Sequence, residues 1–395
     1  MIESLIAFFD PRKACRHADS ILLLLLSFLL LAGAWRISRG GDMKEFGKEE
    51  TLPLRTLLAF AVIIGHVDNT LGRIFPILGW LHWPIPAVAV FFFMSGFGLR
   101  KVFDRLAENG GLGAYLARFP WRTTARLLPP FLVLGPLYAT WRCYVGKAPW
   151  AALPARFLNL SILHIPHDWY VVAIAVLYAV FLVSAALFRK RGVTAAVWTL
   201  SIVLWCATCL WTGNDPKCRY WHFTPLSFPV GFTFAQHERK IRAAFASRPF
   251  TVACAVIAAE ALFFLLHKLK GIPVIVSLNE PWLCAIGPIC ALVLYAFDGL
   301  KRVKSLCFLG LFSYEIYLVH GLPRNMLWYA GIRGWYYVAA MFAVSIPAAW
   351  LLWKFDSFAT KALTGGGRRG RGAPPTTPEG GGNAATGNDL KGGCR

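Results

Sequence analysis

The chain has 395 residues, 57% of them hydrophobic and only 15% charged, well below the roughly 25% charged of an average soluble domain. Its formal net charge is +21, but the basic residues fall in short clusters between apolar runs, so a basic nucleic-acid-binding face is not indicated. Disordered, collagen-like and small disulfide-rich classes are excluded too, which leaves a polytopic membrane protein.

A helix that crosses a bilayer needs about 20 apolar residues. Runs of that kind predict helices over 20–36, 54–72, 79–99, 127–146, 169–188, 194–212, 220–236, 249–267, 272–296, 305–322 and 335–355. The expected fold is all-α, a polytopic membrane helix bundle of ten core transmembrane helices plus one additional N-terminal helix. The chain divides into an N-terminal segment, 1–52, a transmembrane domain, 53–355, and a Gly-, Pro- and Arg-rich tail, 356–395, expected to be disordered. The N-terminal segment carries the extra helix at about 20–36, "SILLLLLSFLLLAGAWR". That run lacks a small-residue cleavage site and reads as an uncleaved helix that either spans or lies in the interface.

Charged groups at membrane depth are costly, so each is a functional candidate. The strongest pair is in "PLRTLLAFAVIIGHVDNT", where Arg55 and His66 are 11 residues apart. At 100° per residue they fall within about 20° of one helical face, roughly 16 Å apart along the axis. One helix thus offers a cation at the rim and a proton-transfer group near mid-membrane. The plainer alternative is an Arg that snorkels to phosphates and a His paired with a carbonyl. Asp68 cannot share the face of His66; it could hold a neighbouring helix or approach the acceptor side, and the plainer reading is a partner for Arg73 or for solvent. In "RFPWRTTARLLPPF", Arg122 and Arg126 stand at i, i+4 as a basic fork suited to phosphate, or as plain topological charge. His164, His167 and Asp168 match no familiar zinc spacing, and no metal is expected. In "FSYEIYLVH", Ser313, Tyr317 and His320 share one face while Tyr314 and Glu315 point elsewhere. Interhelical hydrogen bonding is the simpler role for that stripe. Glu260 and Glu280 read as pairing partners. Cys206 and Cys209 lie in an apolar C-x-x-C, and Cys143 and Cys218 face outward, where a disulfide is conceivable.

With the spans from 54 onward alternating, one set of loops collects the basic clusters at Arg100–Arg126, Arg189–Arg191, Arg239–Arg248 and Lys301–Lys304, together with the tail. That side should be cytoplasmic, with the C-terminus on it. Arg55 then stands at the cytoplasmic rim. The chain shows neither a nucleotide-binding P-loop nor a zinc-protease or serine-hydrolase motif.

Several pieces in order resemble the acyltransferase-3 family of integral membrane acyltransferases. "LRTLLAFAVIIGH" matches its R-x10-H, and "VAVFFFMSGFGLRK" is similar to its FF-x-x-SG-[FY] helix. "RTTARLLPP", "DWYVVAIAVLY" and "FTPLSFPVGFTFA" resemble its next segments, and "SYEIYLVHG" its late S-Y-x-I-Y-L-x-H signature. The resemblance covers about 45–355. Val171 departs from the usual Leu, and the extra first helix is not shared by many members. The resemblance implies transfer of an acyl group, commonly acetyl, from cytoplasmic acyl-CoA to a hydroxyl of an extracytoplasmic acceptor, usually a cell-surface glycan, in the inner (plasma) membrane. Arg55, Arg122 and Arg126 would hold the CoA phosphates, and His66 would act with Arg55 in catalysis. His66 would take the acceptor proton or carry the acyl group covalently. Ser95, Tyr314 or His320 would stabilise the oxyanion or bind the acceptor. A transporter or glycan flippase is the alternative, although no paired repeat supports it.

Overall fold

The computed structural model describes residues 17–43, 46–47, 49–158, 165, 169–188, 192–212, 224–268, 279–297 and 303–364. Within them every regular element is helical. The first half holds α1 (Ala18–Ser38), α2 (Leu52–Thr70), the short α3 (Pro76–Trp80), α4 (Pro84–Asn109), α5 (Leu112–Leu127), α6 (Pro129–Tyr144) and α7 (Leu153–Leu158). The second half holds α8 (Trp169–Phe188), α9 (Val193–Thr212), α10 (Ser227–Ser247), α11 (Pro249–Lys268) and α12 (Asn279–Ala296), then α13 (Lys304–Gly310), α14 (Ser313–Val319), α15 (Gly321–Tyr329) and α16 (Gly334–Leu363).

Among the described residues, six helices are long and apolar enough to cross a membrane, or eight if each bent pair is one span. The expected ten plus one are not all realised, for local reasons. The run at 127–146 yields only the 16 residues of α6, because Pro129 and Pro130 restart the helix. The run at 305–322 breaks between α13 and α14, which meet at 64°. The run at 220–236 is displaced: α10 occupies Ser227–Ser247 and turns by 115° into α11 at Pro249. Its polar second half stays helical because Glu238 is buried in an ion pair with Lys101 and accepts from Tyr295 Oη at 3.0 Å. The first residues of the expected tail are helical rather than disordered. Helix α16 continues to Leu363, fastened where Thr360 Oγ1 donates to the Ala125 carbonyl at 2.9 Å.

Helix α1 spans the depth of the bundle. Trp83 Nε1, just before α4, donates to the Ala18 carbonyl at 2.8 Å. At the other end of α1, Arg36 donates to the carbonyl of Ala296, the last residue of α12, at 2.6 Å. The 18 residues between these two fastenings rise about 27 Å, so the helix runs parallel to α4 and does not lie flat across an end.

The closest helix packing is between α4 and α10. A Cβ on Gly96 would fall on the Phe228 carbonyl, and one on Gly231 on the Phe93 carbonyl, so the two backbones touch. Gly310 lies as close to the Leu52 carbonyl, which locks the end of α13 against the start of α2. Arg100 at the far end of α4 bonds Asp104, Thr194 Oγ1 and Gln236 Oε1 at 2.8, 2.6 and 3.3 Å, tying α9 and α10 to it.

Cys143 carries a free thiol that donates to the Pro149 carbonyl at 3.7 Å. Its conceivable partner Cys218 lies outside the described residues, as do His164, His167, Asp168 and the tail beyond Thr364; Glu280 is described by its backbone alone.

The glycine contacts make a prediction. Gly231→Ala must push two backbones apart and is expected to lower the melting temperature by roughly 5–10 °C or to abolish a monodisperse peak on size exclusion. Gly98→Ala, with nothing within 4 Å of the added carbon, should leave both unchanged. Equal behaviour of the two variants would contradict the packing.

Candidate active site

Helix α2 starts on Pro53 and runs without interruption through "LLAFAVIIG", so Arg55 and His66 are held on one rigid rod. Arg55 stands in its first turn. His66 stands four residues before its end, about three-quarters of the way along.

At the His66 end, the imidazole stacks on that of His320, with ring centroids 4.9 Å apart and planes at 26°. His320 is fully buried at the junction of α14 and α15. Its Nδ1 donates to the Tyr317 carbonyl. One turn further on, Arg324 Nη1 lies 3.3 Å from His66 Nδ1. A guanidinium has five donors and no acceptor, so His66 Nδ1 presents its lone pair to Arg324 and the proton of the neutral ring sits on Nε2. The position of Arg324 is itself fixed, because Tyr337 Oη donates to its backbone carbonyl at 2.9 Å.

At the Arg55 end, the groups facing Arg55 are a second guanidinium, Arg126, and two phenols, Tyr170 and Tyr178; no carboxylate is among them. Like charges brought together in this way repel unless an anion joins them. Tyr178 in turn faces Tyr115, which faces Arg122 and Arg105. Arg122 and Arg126 therefore border one basic patch. Arg126 is also faced by two neighbouring carboxylates, Glu315 and Asp356.

A line of rings joins the two ends. Tyr170 packs on Tyr317 at 5.2 Å, Tyr317 on His320 at 5.9 Å, and His320 on His66. Arg55 and His66 thus border the same interior strip.

The other expected residues are spread along that strip. Ser95 lies beside Tyr170 and donates to the Phe91 carbonyl at 2.9 Å. Tyr314 Oη donates to the Leu127 carbonyl at 3.2 Å and faces Arg126, so it belongs to the Arg55 end. Asp68, fully buried, meets His82 Nδ1 at 3.0 Å and pins the entry of α4 to α2. Arg73 bonds Asn69 instead. Arg324 is not among the residues singled out from the sequence; its one legible mark is its place one helical turn beyond His320 in "HGLPR", which does not show what it meets.

Solid-state 15N NMR of histidine-labelled protein should find His66 protonated at Nε2, and Arg324→Met should release a mixture of tautomers. A proton on Nδ1 in the unaltered protein would refute the contact.

A family model described as an acyltransferase domain, that of the acyltransferase-3 family, matches residues 54–354. No curated protein and no solved structure matches the chain.

Proposed function

This chain is a member of the acyltransferase-3 family, and from that membership we propose that it transfers an acetyl group from cytoplasmic acetyl-CoA to a hydroxyl of an extracytoplasmic acceptor, a cell-surface glycan. The observation that carries the reading is a single helix, α2, with Arg55 at one end, faced by Arg126 from α5, and at the other an imidazole whose lone pair is met by Arg324, both bordering one strip of rings. Positive-inside bias supports a cytoplasmic Arg55 end and a cytoplasmic end of α16, in an inner membrane on this reading.

Acyl-CoA is an anionic nucleotide with a long arm ending in a thioester. Arg55 and Arg126 grip its phosphates, and Arg122 adds charge at the rim. The arm follows Tyr170 and Tyr317 toward His66. Ser95 and Tyr314 position the donor side of this path. His320 orients the His66 ring by stacking on it.

The acceptor hydroxyl displaces Arg324 from His66 Nδ1 and finds a lone pair there. Its proton passes to Nδ1 as the hydroxyl oxygen attacks the thioester carbonyl carbon. The displaced guanidinium faces the carbonyl oxygen as it gains negative charge. Collapse of the intermediate breaks the carbon–sulfur bond, and the thiolate takes the proton back from His66. The products are an ester and free CoA.

Two variants test the assignment. His66→Ala should lower acetyl transfer by about 10²–10⁴-fold while acetyl-CoA still binds; an active variant would remove His66 from the reaction. Arg55→Ala should weaken acetyl-CoA binding by about 10–100-fold in calorimetry or thermal-shift titration, and an unchanged affinity would place the phosphates elsewhere.

A further inference from the structure

Beside His66, α6 carries a feature that the donor path does not use. Tyr138 is 3% exposed, and its hydroxyl has no hydrogen-bond partner among the described residues. The charged group facing it among the described residues is Arg324, the same side chain that holds His66. A buried hydroxyl without a partner is costly, so one retained beside a reactive group calls for a ligand.

One turn along the same side of α6 stands Trp141, half-buried. Trp141 meets Tyr144 at 5.6 Å and, edge-on, Tyr329 at 5.5 Å, and Tyr144 and Tyr329 are 6.1 Å apart. Tyr144 is 64% exposed and Tyr329 62%. Tyr329 closes α15, the helix that also carries Arg324. The ends of α6 and α15 therefore hold a three-ring cup, and further along α6 Tyr138 faces Arg324, which in turn meets His66. From Tyr144 to Tyr138 is about 9 Å along the helix. Rings of an interfacial belt point singly toward lipid. Here they turn toward one another across the two helices that carry Tyr138 and Arg324.

We propose that this strip is the acceptor subsite and that it takes a pyranose ring with free hydroxyls. The carbon–hydrogen face of a sugar is apolar and lies flat on an aromatic ring, while its edge is ringed with hydroxyls. The cup of Trp141, Tyr144 and Tyr329 takes the face. Tyr138 and Arg324 take the hydroxyls, and the reacting one reaches His66 Nδ1. An amine acceptor is disfavoured, because Arg324 repels an ammonium and no carboxylate faces Tyr138 among the described residues.

The inference rests on the acetyl-transfer reading above, and the experiment separates the two. The full chain in lipid nanodiscs is given acetyl-CoA and a panel of methyl pyranosides, with ethanolamine as the amine control. The unaltered protein should acetylate at least one pyranoside and not the amine. Tyr138→Phe keeps the ring and the packing, and it should raise the KM for that pyranoside about tenfold; Tyr329→Ala, at an exposed position, should do the same. Neither should change acetyl-CoA affinity. Unchanged KM in both variants, no transfer to any pyranoside, or preference for ethanolamine would overturn the subsite even with acetyl-CoA bound normally. Failure of the unaltered protein to bind acetyl-CoA would overturn the acetyl-transfer reading itself.

Discussion

An ionisable side chain inside an apolar bundle has no water to answer it, so it must be answered by another helix. That constraint organises the interior of this protein. His66 on α2 is met by His320 and Arg324 from the α14–α15 segment. Asp68 on the same helix is met by His82 at the entry of α4. Glu238 on α10 is met by Lys101 and Tyr295 from α4 and α12. Each polar pair joins two helices that apolar packing alone would leave free to slide, so the register of the bundle and the placement of its reactive groups have one cause.

Small residues supply what the polar pairs cannot. Gly96 and Gly231 bring α4 and α10 to backbone contact, and Gly310 does the same for α13 and α2. Just past Gly310 the chain breaks direction. The segment that follows runs beside α2, placing Tyr314 and Glu315 near Arg126 and then His320 and Arg324 against His66. One broken helix thus addresses both ends of one straight helix. A single unbroken helix would present a regular stripe; the break and the junction at His320 let the segment serve two separate depths.

What the sequence disclosed follows the same physics. Arg55 and His66 share a strip because they share a helix, and helical spacing is readable without tertiary structure. Tyr317 and His320 were legible for the same reason. Arg324 was not, because its partner is on a helix 258 residues away and its own apolar surroundings end in a loop. The same holds for Tyr138, whose meaning depends on Arg324 standing opposite. The helix ends were misread where a break depends on local packing: the turn at Pro249, the break before Ser313, and the continuation of α16 past 356. Hydropathy reports that a run is apolar, but it does not report whether the run is straight.

The choice of a guanidinium rather than a carboxylate beside His66 bears on the competition between transfer and hydrolysis. A carboxylate would accept a proton from the ring and leave the opposite nitrogen open as a base for any hydroxyl, water included. A guanidinium donates, so it covers the lone pair itself. On the proposed course, water entering the strip meets a ring whose base is already engaged. Only an acceptor held by other contacts gains enough binding energy to displace Arg324 and uncover it. The thioester is then protected by the hydrogen bond that transfer must break, and discrimination against water comes from the acceptor's grip rather than from sealing the bundle.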